Sequence, residues 1–87
     1  MAAQQIDVSF SEQFYNQSGS VDSRCNGILF VNVGTEPVTV LGYELLQGQS
    51  FAPTMNLGER DVTNYTVTFG TGAGTRLLLV IRKYYVA

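Results

Sequence analysis

The sequence predicts an all-β domain, a small antiparallel β-sandwich or barrel of six to seven short strands. Three observations carry that expectation. Apolar and polar residues alternate with a period of two in several segments, no stretch sustains the three-to-four spacing of an amphipathic helix, and turn residues recur at intervals too short for helical crossovers. The chain has 87 residues and reads as one domain, residues 1–87, with neither an internal repeat nor a composition shift that would mark a second. A domain of this length buries only roughly 60–70% of its unfolded surface, so its core must be thin.

Ile6, Val8 and Phe10 alternate with Asp7 and Ser9, which gives a first strand with one buried face. Phe14, Tyr15 and the polar run NQSGSVDSRCNG follow, the most loop-like part of the chain. Residues 1–27 are therefore expected as a partly extended docking arm that orders on binding. Asn26-Gly27 can supply the positive φ angles of a tight turn, so Val21 to Cys25 is expected as a short strand paired with the next one. Ile28 to Val33 is apolar at nearly every position and rich in branched side chains, as in a central strand covered on both faces.

Gly34-Thr35-Glu36-Pro37 reads as the turn between core strands, with Gly34 at positive φ and Pro37 opening the run Val38 to Tyr43. Gly42 fits a bulge and Gly48 a turn, after which Ser50 to Pro53 makes a brief edge strand. Asn64 to Phe69 places Tyr65, Val67 and Phe69 on one side and Thr66 and Thr68 on the other. GTGAG is a hairpin tip, and Arg76 to Val86 is a long last strand whose centre, Leu77 to Ile81, is apolar on both faces.

The residue inventory bears on chemistry. The chain has no His, which removes the usual general base near neutral pH and the commonest metal ligand. Cys25 is the only cysteine, without an imidazole partner to activate it and without a disulfide partner in the chain. Glu59 and Asp61 flank Arg60 in a loop, the pattern of a solvated turn or local ion pair more than of an acid–base pair. Neither NLGERD nor GSVDSRCNG has the acidic density of a calcium loop. GTGAGT is followed by LLLVI where a phosphate loop needs a helix. The expectation is a protein that is not an enzyme, with no catalytic residue, no metal and no cofactor.

Charged residues make up 14% of the chain, below the roughly 25% of ordinary soluble domains, which points to a surface partly covered by other copies, a homo-oligomer. Five Lys and Arg against seven Asp and Glu leave no basic face for nucleic acid. The cluster Arg82-Lys83 beside Tyr84 and Tyr85 reads as a strand edge kept soluble by charge rather than a base-stacking platform. The start MAAQQIDVSF lacks the basic and apolar regions of a signal peptide, and no segment approaches the ~20 apolar residues that span a bilayer. Asn16-Gln17-Ser18 and Asn64-Tyr65-Thr66 match the glycosylation pattern but, without a secretory signal, read as chance. Tyr43, Tyr65, Tyr84 and Tyr85 are the candidate contact residues, for a protein partner or for the apolar faces of a glycan.

The pattern N-x-G-T-x-P-V-T-V-x-G-Y-x-L-x-x-G-Q-S-F at residues 32–51, with TNYTVTFG at 63–70 and LLLVIRKYY at 77–85, resembles small virion proteins of tailed bacteriophages, most closely those of phages of Bacteroidetes-type hosts. The likeness covers about two thirds of the chain, from Ile28 onward, and Gln47 stands where Pro is common. It implies a β-sandwich structural protein without catalytic residues, assembled in the host cytoplasm and located in the virion. The expected role is an auxiliary or decoration protein on the outer capsid. Alternatives are a tail, neck or fibre-anchoring subunit, or a small carbohydrate-binding module for host attachment.

Overall fold

A computed structural model describes residues 6–86. Eight strands run in chain order: β1 (Asp7–Tyr15), β2 (Gly19–Asp22), β3 (Gly27–Asn32), β4 (Val38–Val40), β5 (Tyr43–Leu45), β6 (Ser50–Phe51), β7 (Asn64–Phe69) and β8 (Leu78–Val86), with no helix among the described residues. They form two four-stranded sheets, ordered β1-β8-β3-β6 and β2-β7-β4-β5, and every pairing is antiparallel. The chain crosses between sheets at every connection except β4–β5. Two sheets interleaved in this order make a jelly roll, the eight-stranded sandwich built from two Greek keys.

The sandwich agrees with the expected fold class, and the extra strand has a local cause. The run Val38 to Tyr43 is two strands, because Leu41 (φ 50°) and Gly42 (φ 86°) both take the left-handed conformation and close a type I′ hairpin with Val40 opposite Tyr43. Gly42 is thus a turn residue and makes no bulge. Gly48 turns as expected, at φ 83°. Gly34 does not have positive φ; it is there because a side-chain carbon would lie 2.8 Å from the Leu77 amide nitrogen.

The expected pairing of Val21 to Cys25 with β3 does not form. Positive φ falls on Arg24 at 44°, upstream of Asn26-Gly27, and β2 joins β7 in the opposite sheet. Within the expected docking arm, Asp7–Tyr15 and Gly19–Asp22 are paired strands: β1 lies along the whole of β8, and Val21 of β2 is in the core. The remainder of that arm before residue 6 lies outside the described residues.

The core fills the space between the sheets. Ile28, Phe30, Leu78 and Val80 of one sheet meet Val21, Val38, Val40, Leu45, Tyr65, Val67 and Phe69 of the other, and Phe30 and Tyr65 rings pack at 4.9 Å and 59°. Two buried polar side chains tie the layers. Asn32 donates to the carbonyls of Glu36 and Leu45 (both 2.9 Å) and accepts from the Gly34 N–H (3.0 Å), so both its donors and its oxygen are engaged across the sandwich. Arg82 points inward and donates to the Asp22 carbonyl from Nε and Nη2 (3.2 and 2.9 Å), to Gln13 Oε1 (3.1 Å) and to the Tyr15 hydroxyl (3.1 Å). It latches β1 and β8 to β2.

The molecule is elongated, 57 × 20 × 17 Å, with a radius of gyration of 14.6 Å. A compact chain of this length has about 12 Å.

Candidate functional site

The sheet β1-β8-β3 has two faces of similar composition, and only one is covered. Directly paired residues share a face, so the inner rows are Ser11–Arg82–Ile28 and Gln13–Val80–Phe30, and the outer rows are Phe10–Lys83–Gly27, Glu12–Ile81–Leu29 and Phe14–Leu79–Val31. On the outer face Leu29, Val31, Leu79 and Ile81 are half-buried, while Val8, Phe10 (64% exposed) and Phe14 (56%) project into solvent. The expectation that the β3 segment is covered on both faces is therefore corrected, while the centre of β8 is apolar on both faces as read from the sequence. Both strands are interior to their sheet, but no helix or second layer packs on its outer side among the described residues.

This face holds an open groove of about 490 Å³, lined on this side of the sheet by Phe10, Glu12, Gly27, Leu29, Ile81 and Lys83. Gly27 keeps it open: a side-chain carbon there would stand 3.1 Å from Lys83 Cε, whose stem lies across β3. Lys83 Nζ sits 5.7 Å from the Tyr85 ring centroid, a cation–π contact at the rim. One acid and one base border an otherwise apolar groove. Such a surface can bind by apolar burial, with its two charges fixing orientation.

The other polar clusters are internal to the fold. Asp61 is buried, in contrast to the solvated turn expected for it. Its Oδ2 accepts from the Tyr65 hydroxyl (2.5 Å), and its Oδ1 accepts from the Ser23 hydroxyl (3.0 Å) and the Thr63 N–H (2.8 Å). Burial pushes this carboxyl up, but the hydrogen bonds from Tyr65, Thr63 and Ser23 outweigh it and hold the group below its ordinary value. Burial and the bond to Asp61 push the Tyr65 phenol up to about 12. Burial likewise raises the Cys25 thiol, which keeps it protonated and inert. Glu59 serves elsewhere, accepting from the Asn56 N–H at 2.7 Å to close a turn.

The GTGAG loop resembles a phosphate cradle because it does hold an anion, one supplied by the chain itself. The buried Glu36 carboxylate accepts from the Gly72 N–H (2.7 Å) and the Gly74 N–H (2.9 Å). Side-chain carbons at 72 and 74 would stand only 2.9 and 2.7 Å from Glu36 oxygens, so the glycines exist to admit this carboxylate.

The four candidate tyrosines do not form one platform. Tyr43 is 59% exposed and stacks on Phe51 at 4.8 Å, bridging the β5 and β6 edges of the two sheets. Tyr65 is 2% exposed with its hydroxyl engaged by Asp61, so it is a core residue and cannot contact a partner or glycan. Tyr84 packs partly against the core, and Tyr85 lies on the outer face with its hydroxyl 3.3 Å from the Gly58 N–H. Arg82 and Lys83 also part company, one inside and one outside, on a strand flanked on both sides, so the reading of a charged strand edge is corrected.

Composition could have revealed the outer face. Val8, Phe10 and Phe14 share parity in the first strand, and the second-face residues Leu29, Val31, Leu79 and Ile81 had no helix in the sequence to cover them. No family model, curated protein or solved structure matches this chain.

Proposed function

We propose that the protein is a non-enzymatic structural subunit of a bacteriophage particle, an auxiliary or decoration protein bound to the outer capsid. The observation that carries this reading is the uncovered apolar face of β1-β8-β3, a surface suited to permanent burial against other protein. The virion-protein resemblance supports it, as does the jelly-roll topology, which recurs in viral capsid and lectin domains. Binding across neighbouring capsid subunits would stabilise the shell by mass action, opposing the outward pressure of packaged DNA. Cryo-EM of purified particles tests it. The expected result is ordered shell density that accepts this sandwich; density at the tail or neck instead would favour a fibre-anchoring role, and absence from virions would overturn both.

Tyr43 favours a second reading, a carbohydrate-binding module. Its exposed ring, fixed by stacking on Phe51, offers a preorganised face to a sugar. Reproducible glycan-array binding that Tyr43→Ala abolishes would support this alternative, and an array without binding would remove it.

A further inference from the structure

β1 is exposed on both faces along almost its whole length, and among the described residues nothing pairs with its outer edge. The other three sheet edges are β2, β5 and β6, with four, three and two residues, whereas β1 has nine. Its sequence, DVSFSEQFY, contains neither the Lys nor the Pro that commonly blunts a long edge. At ~3.4 Å per residue it offers about 30 Å of free backbone donors and acceptors.

We propose that this edge pairs antiparallel with the same strand of a second copy, about a two-fold axis through Ser11 and perpendicular to the sheet, making one continuous eight-stranded sheet. The strand is self-complementary in that register. Residue numbers of opposed partners sum to 22, so Val8 faces Phe14, Asp7 faces Tyr15, Ser9 faces Gln13 and Phe10 faces Glu12, with no like charges opposed. Sliding by one two-residue step in either direction shortens the seam, and one of those slides sets Glu12 against Glu12. The two-fold keeps outer faces aligned, so Val31, Leu79 and Phe14 of one copy run on into Val8 and Tyr85 of the other.

Charge agrees with the same register. Lys83 lies beside Phe10 within one copy, and Glu12 of the second copy lies on the other side of that Phe10. Acid and base therefore flank each phenylalanine across the seam, twice by symmetry. Each Lys83 then has an acid on two sides, Glu12 of its own copy one register step along β1 and Glu12 of the second copy across Phe10. The dimer and the particle role are independent: absence from virions would leave the dimer intact, and a monomer in solution would leave the particle role intact.

Sedimentation of the whole chain and cross-linking test it together. A reversible dimer is expected, and Ser11→Cys should form a disulfide-linked dimer under mild oxidation, because residues opposed at the axis have Cα atoms about 4.5–5.5 Å apart. Thr71→Cys, in an exposed loop of the other end of the chain, is the control, and buried Cys25 does not compete. Glu12→Lys and Lys83→Glu should each weaken association, by up to about tenfold, and the double charge swap should restore it. A monomer at all concentrations overturns the proposal. So does a dimer in which Ser11→Cys cross-links no faster than the control, or one that Glu12→Lys leaves unchanged in a normally folded protein.

Discussion

Gly34 stands where any side chain would strike the backbone of the loop that returns from β7. Its own N–H donates to Leu77 (3.1 Å) and to Asn32 Oδ1 (3.0 Å), and the Thr35 and Glu36 N–H groups both donate to the Thr75 carbonyl (3.0 and 2.9 Å). Gly34→Val must push these strands apart, and we expect a loss of about 3 kcal/mol, read by denaturant unfolding. The turn was legible in the sequence, but its cause was not. A glycine required for positive φ and one required by a neighbour 41 positions downstream look identical in a string. Asp61 carries the pH dependence at this scale. Its folded form holds its proton less tightly than the unfolded chain, so the unfolded chain takes up a proton first as pH falls. The stability from this group is present above its ordinary carboxylate range and is lost as pH drops through its lowered folded value. Tyr65 has the opposite sign: its contribution is complete below the ordinary phenol value of about 10 and is lost as pH rises toward 12. Thermal melts across pH should show both limbs; Asp61→Asn should soften the acid one at a cost of about 2–3 kcal/mol, and Tyr65→Phe should soften the alkaline one.

At the scale of elements, the β4–β5 hairpin shows how one residue decides a strand count. Leu41 is a γ-branched residue held at φ 50°, a conformation that Asn tolerates better, and it is substantially exposed. Leu41→Asn should therefore stabilise the fold by about 0.5–1 kcal/mol, seen as a higher melting temperature; an unchanged or lower one would show that Leu41 packs usefully. Periodicity located β3, β7 and β8 well because each alternates or is wholly apolar. It missed the continuation of β1 through Ser11, Glu12 and Gln13, since a strand with little burial on either face leaves only a weak alternation to read. It also could not assign β2, whose single buried side chain is Val21. Arg82 defeats pattern reading for a related reason: a guanidinium on an inner face looks like a surface residue until its acceptors, contributed by β1 and β2, are folded onto it.

The whole molecule is built almost entirely from contacts distant in sequence. Only β4 and β5 are joined by a tight hairpin, and the first strand pairs with the last. Loop closure must precede most of the reward, so we expect refolding on a timescale of about milliseconds to seconds, slower than a helical domain of equal length; stopped-flow fluorescence of the five tyrosines would check it, and microsecond refolding would contradict it. The composition of the molecule, weakly charged and aromatic, agrees with the uncovered outer sheet face. Sequence by itself determined the all-β class, the positions of the apolar strands and the absence of histidine, because alternation and inventory are local properties of the chain. Only the tertiary structure decided which sheet each strand joins, that Tyr65 is core, that Glu36 fills the glycine loop and that one apolar face of β1-β8-β3 is left open. Those outcomes depend on which distant residues meet across the sandwich, and a residue's burial is fixed by its neighbours in space as much as by its own chemistry.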